Sequence, residues 1–213
     1  SGLTRDGYFH VAEDETLPSV AEFYALSPPV CSFEPGRSAE YSNHGYAVLG
    51  QLIADIEGSP FEAVLKKRVL EPLGISLWCS EDQRGGLGFQ FDDGGSLEIA
   101  PNYIPVLTPP SGGWATAGDL VRLPAALCLR TVPGVDARAL VTNISPDGRP
   151  PRAFGWALAD LDGDAVLSHA GGWRGYSGNL AWCPARGIAV AVMINMSAEA
   201  RGELGAQMIA ALS

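Results

Sequence analysis

The sequence predicts an α+β fold, in which a mainly helical region at residues 35–130 precedes an antiparallel sheet and a closing helix at residues 153–213. Two observations predict this order. Apolar residues recur at three- and four-residue steps in the first region, whereas strand-like apolar runs separated by short turns fill the second. A chain of 213 residues suits one domain with a substantial core, so residues 1–213 are assigned to a single domain.

Three helices are predicted in the mainly helical region. The first begins at Asn43, ends near Gly58 and has an apolar stripe at helical spacing. A second helix begins at Ser59-Pro60 by the cap-then-proline pattern and ends at Pro72-Leu73-Gly74. A third follows Ser111-Gly112-Gly113-Trp114 and runs to about residue 129. The apolar stripe of the first helix consists of Tyr46, Leu49, Ile53 and Ile56.

The last third of the chain predicts an antiparallel meander. Strand-like runs occupy residues 154–159, 165–169, 176–183 and 188–195. Short turns rich in Gly, Asp and Pro separate them, as expected for hairpins. A final helix over 198–212 is predicted to cover the sheet, with Leu204, Met208, Ile209 and Leu212 on one side.

Composition narrows the set of partners. The formal net charge of −10 argues against nucleic acid and against an anionic membrane surface, because both repel an acidic protein. No run of 18 apolar residues predicts a membrane-spanning helix. The cysteines have no metal-binding spacing and are interpreted as small core residues, so neither a metal nor a cofactor is expected. They are Cys31, Cys79, Cys128 and Cys183.

Two short motifs carry the functional signal. Tyr41-Ser42-Asn43 directly precedes the first predicted helix, and His169-Ala170-Gly171-Gly172 lies far downstream in a predicted strand. In this order they resemble the second and third active-site elements of the serine β-lactamase and penicillin-binding-protein-like superfamily, which includes class C β-lactamases, D-Ala-D-Ala carboxypeptidases, D-aminopeptidases and related esterases. Further segments resemble this family in the same order. They are Ser1-Gly2-Leu3, Leu70-Glu71-Pro72-Leu73-Gly74-Ile75, Ser111-Gly112-Gly113-Trp114 and Phe154-Gly155-Trp156.

One element of the family pattern does not occur in this sequence. The family's nucleophile lies in a Ser-x-x-Lys helix, but the only lysines here are Lys66 and Lys67, which follow Ala63 and Val64 at that spacing. The resemblance therefore implies a β-lactamase-like domain that holds the C-terminal two thirds of the fold. The N-terminal strands and the nucleophile helix are then expected on an upstream polypeptide fragment.

The resemblance also implies roles for five residues. Tyr41 is the candidate general base, and it needs a nearby cation because a free phenol has a pKa of about 10. Asn43 would hold a substrate carbonyl or amide, or would cap the helix. His169 stands where the family more often has lysine; it would bind a substrate carbonyl or carboxylate, or be an ordinary strand-end histidine. Gly171 and Gly172 would let substrate approach, with the Gly172 N–H as an oxyanion donor.

Three functions fit these residues. The favoured one is part of a serine hydrolase or acyltransferase of esterase, D-amino-acid peptidase or β-lactamase type, acting through an acyl-enzyme on a small ester, amide or D-amino-acid substrate. The second is a non-catalytic remnant that binds a ligand. The third makes Ser1 the nucleophile, with its own amine as base. Aromatic residues are candidates for a pocket wall, although a core role is favoured for Trp156. They are Trp114, Trp156, Trp173 and Tyr176.

Overall fold

A computed structural model of the protein describes ten segments of the chain: residues 2–3, 10–12, 20–26, 28–76, 86–100, 103–105, 111–128, 151–173, 175–197 and 204–211. Among these segments, a mainly helical part, with four short strands, precedes the main sheet, and a helix follows the sheet. The elements are β1 (His10–Ala12), α1 (Val20–Leu26), α2 (Asn43–Glu57), α3 (Phe61–Leu65), a π-helical turn (Lys66–Leu70), α4 (Glu71–Leu73), β2 (Phe89–Phe91), β3 (Leu97–Ile99), β4 (Tyr103–Pro105), α5 (Ala117–Cys128), β5 (Arg152–Ala153), β6 (Trp156–Leu161), β7 (Asp164–Trp173), β8 (Tyr176–Cys183), β9 (Ile188–Ile194) and α6 (Leu204–Ala211).

The main sheet is a five-stranded antiparallel meander in the order β5-β6-β7-β8-β9. The turn between β6 and β7 is tight because Asp162 and Gly163 both adopt positive φ, at 54° and 89°. The predicted strand at 165–169 is longer in the structure and continues to Trp173. The His169–Gly172 motif therefore lies inside the part of β7, Leu167 to Trp173, that pairs with β8.

Both faces of this sheet are covered, each by a different helix. On one face, Val166 and Ala181 pack with Ile209 of α6, which confirms that the closing helix covers the sheet. On the other face, Leu167 and Trp182 pack with Leu127 of α5. Alternation along β7 sends Val166 and Leu167 to opposite faces, so a single strand joins the two cores. The covering role of α5 was not predicted, because a helix pattern does not reveal which sheet face it meets.

Shortening the Leu167 side chain, in the core between the sheet and α5, is expected to destabilise the fold. Leu167 is fully buried, so Leu167→Ala removes packed methyl groups and should lower the free energy of unfolding by about 2–5 kcal/mol. Leu97→Ala on β3 is the matched control, because Leu97 is 58% exposed and should change stability by less than about 1 kcal/mol. Urea denaturation measures both. Equal effects at the two positions would contradict the core assignment.

Helix α2 begins and ends where the sequence predicts. The Ser42 Oγ accepts a hydrogen bond from the Gly45 N–H at 3.0 Å, and Gly58 ends the helix in the left-handed conformation. Its buried side is made of small or polar residues, among them Ala47 and Gly50. The large apolar side chains are instead exposed, from 39% for Ile53 to 74% for Ile56. The exposed set, here called the α2 stripe, is Tyr46, Leu49, Leu52, Ile53 and Ile56.

Three further features of the described residues concern membrane-spanning helices, metal-binding groups and cysteine burial. The structure describes no helix that is both long and apolar enough to cross a membrane. Among the same residues, no group of three or more His, Cys, Asp or Glu side chains could hold a metal ion. Cys183 is buried, in agreement with the core interpretation, whereas Cys31 and Cys128 are exposed and the interpretation is wrong for them. Cys79 lies outside the described residues.

Candidate active site

The Tyr41–Asn43 motif lies at the N-terminal end of α2. Ser42 rather than Asn43 provides the helix cap, so the capping role considered for Asn43 is wrong. The Asn43 side chain is only 1% exposed, and neither its Nδ2 nor its Oδ1 has a hydrogen-bond partner in the structure. A buried amide without partners is costly, at about 1–3 kcal/mol. The site thus has an unmet donor and an unmet acceptor next to Tyr41.

His44 supports the N-terminal end of α2 by packing against helix α1. Its ring is buried and packs near Phe23 and Tyr24 of α1, with ring centroids 6.2 and 5.7 Å away. The Tyr24 hydroxyl also donates to the His44 carbonyl oxygen at 3.5 Å. His44 is thus a helical packing residue that helps to hold the motif in place.

The second motif presents an open stretch of β7. Strand β6 pairs with β7 only as far as Ser168, so the 169–172 stretch has no ladder partner on that edge among the described strands. Gly171 and Gly172 are both exposed. A Cβ added at Gly171 would have no heavy atom within 4 Å, so packing does not require glycine there. This backbone edge therefore remains the candidate place for substrate to approach β7.

Arg152 acts electrostatically on His169 and on Tyr46, which lies three residues after Asn43. Partial desolvation of the imidazole, followed by the positive charge of Arg152, lowers the pKa of His169. Burial and the neighbouring Tyr41 phenol raise the pKa of Tyr46, while Arg152 acts in the opposite direction. The Tyr46 hydroxyl lies against Gly155, where a Cβ would overlap it. One cation thus acts on groups from both α2 and β7.

Sequence reasoning missed Tyr46 and Arg152 as members of this cluster. Tyr46 belongs to the predicted apolar stripe of its helix, and Arg152 lies in a stretch for which no helix or strand is predicted. The available signal was weak: Arg152 stands just before Phe154-Gly155-Trp156, one of the segments that resembles the family. Their proximity depends on contact between α2 and the β5–β6 turn, which spans about a hundred residues of sequence.

The electrostatic link predicts a measurable shift. The pKa of His169 should lie below about 6.5, and Arg152→Met should raise it toward that ordinary value by removing the nearby charge. Arg68→Met is the matched control, because Arg68 pairs with Glu57 and should leave the His169 pKa unchanged. Titration of the imidazole by NMR measures the His169 pKa in the unmodified protein and in both variants. An Arg152→Met variant with an unaltered His169 pKa would contradict the link.

The sign of the pH effect follows from the same shift. Since folding lowers the pKa of His169, the folded state binds protons less readily than the unfolded state. The stability that depends on neutral His169 is present above about pH 6.5 and is lost as the pH falls through its folded pKa. His169 is thus neutral at pH 7, able to donate from one ring nitrogen and accept at the other.

The remaining candidate residues divide between the site and the core. Trp156 packs edge-to-face on Trp182, with ring centroids 5.9 Å apart, in agreement with the core role favoured for it. Ser1 lies outside the described residues. The next residue, Gly2, is buried, and the Gly2 carbonyl accepts a hydrogen bond from the Ser32 N–H at 2.8 Å.

Comparison with known proteins identifies the family. The model of the Beta-lactamase family matches residues 1–212, and the chain belongs to that family. A D-aminopeptidase from Gluconobacter oxydans (strain 621H) is 25% identical over 187 residues, which are 84% of this chain and 35% of that protein. The β-lactamase-like fold predicted from the motifs is confirmed.

Two solved structures support the same fold. The octameric penicillin-binding protein homologue from Pyrococcus abyssi superposes with a TM-score of 0.81 at 23% identity, covering 93% of this chain and 49% of that one. The D-amino acid amidase from Ochrobactrum anthropi SV3, complexed with D-phenylalanine, superposes with a TM-score of 0.73 at 21% identity. The match covers 92% of this chain and 62% of the amidase chain. The chain spans about a third of the D-aminopeptidase and about half to two thirds of these structures.

Proposed function

We propose that this chain is part of a serine hydrolase or acyltransferase whose nucleophile comes from a segment outside these 213 residues. The observation that carries the proposal is the electrostatic link through Arg152 between the Tyr41–Asn43 end of α2 and His169 on β7. This link supports a site in which two of the family's three active-site elements act together. Membership of the Beta-lactamase family supports the same reaction class.

The proposed reaction forms an acyl-enzyme. A serine hydroxyl on the completing segment attacks the carbonyl carbon of an ester or amide, while Tyr41 takes up the hydroxyl proton. The Gly172 N–H on β7 is one donor that stabilises the developing oxyanion. Collapse of the intermediate expels the alcohol or amine, which Tyr41 protonates. Water, or another acceptor, then releases the acyl group by the same steps.

Asn43 and His169 bind and position substrate in this scheme. The unpartnered amide of Asn43 can donate to a carbonyl and accept from an N–H, so a substrate amide or a group on the completing segment satisfies it. Neutral His169 can donate a hydrogen bond to a substrate carbonyl or carboxylate. Small esters, amides and D-amino-acid derivatives all offer these groups. The D-aminopeptidase and D-amino acid amidase similarities favour the last of them.

Two surfaces of the chain suit a completing segment. The α2 stripe exposes large apolar side chains on the helix that begins at Asn43, and such contiguous patches commonly mark interfaces. Strand β9 pairs with β8 on one side, and its other edge has no partner among the described strands. An apolar edge strand of this kind pairs readily with another strand. A completing segment would cover both surfaces.

Chemical labelling tests this proposal. The protein is purified from its native source, treated with a fluorophosphonate and analysed by intact mass and peptide mapping. Labelling of a serine in a Ser-x-x-Lys sequence outside these residues is expected, whether that sequence is on a separate fragment or on the same longer chain. Labelling should fall by about 10²-fold or more in Tyr41→Phe.

Each other outcome of the labelling selects a different function. Label on Ser1 would identify an N-terminal-nucleophile hydrolase and overturn the proposed mechanism. No label on any serine, together with saturable binding of a small amide, would identify a non-catalytic ligand-binding protein. Both results would leave Tyr41 and His169 as ligand contacts at most.

A further inference from the structure

The face of the sheet that carries His169 contains a depression made by glycines. On this face the β7–β8 register places His169 opposite Leu180, then Gly171 opposite Gly178, then Trp173 opposite Tyr176. A Cβ at Gly171 would meet nothing within 4 Å, whereas a Cβ at Gly178 would lie 3.0 Å from the Met193 Sδ, so the open part of the surface is over Gly171. Four residue steps lead from His169 to Trp173, so this stretch of β7 is about 13 Å long at about 3.3 Å per residue.

An aromatic pair closes one end of this depression. Trp114 contacts Tyr176 edge-to-face, with ring centroids 4.9 Å apart and planes at 85°. Trp114 directly follows Ser111-Gly112-Gly113, a segment that approaches the sheet from outside the meander. Both aromatic residues are partly exposed, so they are not sealed into a core. Their rings therefore offer apolar surface near the open position at Gly171.

The segment at residues 86–88 fixes the Tyr176 ring in place. The Tyr176 hydroxyl donates to the Gly86 carbonyl at 2.9 Å, and Gly88 lies so close that a Cβ there would be 2.6 Å from the ring. Because the hydroxyl already has a partner, the ring presents mainly apolar surface. The preorganised wall thus suits an apolar group better than a polar one.

We propose that Trp114 and Tyr176 form the wall of a subsite that takes a bulky apolar or aromatic side chain of the substrate and disfavours a small one. The inference rests on the proposed function, because that function places the reacting carbonyl on the neighbouring edge of β7. The substrate's side chain then lies over Gly171, with the aromatic wall at one end and His169 at the other.

Binding of unreactive amino acids tests the subsite. The protein together with its completing segment is titrated with D-phenylalanine and with D-alanine by isothermal calorimetry. D-Phenylalanine should bind about tenfold tighter or more, since its ring is removed from water against the wall. Trp114→Ala should reduce this ratio to about twofold or less. Trp114→Phe and Tyr176→Phe, which keep an aromatic ring, should preserve most of it.

A control variant and the labelling experiment together distinguish failure of the subsite from failure of the proposed catalysis. Leu26→Ala, at an 84% exposed position on α1, should leave the ratio unchanged, and melting temperatures confirm that each variant is folded. Equal affinity for the two amino acids, or failure to bind either, would overturn the subsite even if serine labelling succeeds. A preserved ratio without any labelled serine would support the subsite and overturn the proposed catalysis instead.

Discussion

Tyr41→Phe is expected to lower kcat/KM of the completed enzyme by about 10²–10⁴, because the variant removes the group proposed to carry the serine proton. The unfolding free energy should change by less than about 1 kcal/mol, since only one oxygen is lost from a partly exposed ring. The measurement is the hydrolysis of a D-amino-acid amide or of an ester, with urea denaturation alongside. His169→Ala should show a comparable loss of turnover with the fold retained.

The chain offers a matched control for this loss. Tyr46→Phe removes a phenolic oxygen from the same helix, and Tyr41 acts on the pKa of Tyr46. Its hydroxyl lies against Gly155 rather than serving in the proposed reaction, so the expected loss of kcat/KM is less than about tenfold. Unchanged turnover in both Tyr41→Phe and His169→Ala would rule out the proposed mechanism. A larger loss in Tyr46→Phe than in Tyr41→Phe would reassign the proton carrier.

Leu49→Glu combined with Ile53→Glu is expected to weaken the affinity for the completing segment by about 10²–10⁴-fold. Burial of each of these side chains stabilises an interface by about 1.5–3 kcal/mol, and charge on the α2 stripe would remove that contribution. The isolated chain should keep its unfolding free energy within about 1 kcal/mol, because both positions are exposed in it. The measurement is the Kd for the separately expressed segment, by calorimetry.

A second double variant controls for added negative charge. Leu26→Glu with Val30→Glu introduces the same two carboxylates at positions that are 84% and 62% exposed on or near α1. This variant should bind the segment with an affinity within about threefold of the unmodified chain, even though long-range repulsion is similar. If both double variants weaken binding equally, charge rather than the α2 stripe is responsible, and the docking surface must lie elsewhere.

Local patterns explain why several elements were predicted well. The start of α2 depends on a serine whose hydroxyl caps the next backbone N–H groups, and its end depends on a glycine that tolerates the left-handed conformation. The meander depends on alternating runs joined by turns such as Asp162-Gly163, and neighbouring strands pair through short connections. Motif order along the chain was enough to identify the family.

Long-range packing decided what these patterns could not. The period of the α2 stripe showed that one side of the helix is apolar, but small residues such as Ala47 and Gly50 occupy the buried side instead. The extension of β7 to Trp173, the burial of Asn43 and the approach of Arg152 to both motifs arise from contacts between distant segments.

Helix and strand identity, turn positions and family membership were thus readable from residue order alone, because each depends on neighbours within a few positions or on short motifs. The site's environment depended on the tertiary structure. Burial, pKa shifts and unmet hydrogen bonds are set by the groups that folding brings together, and residues such as Asn43 and Arg152 are more than a hundred positions apart.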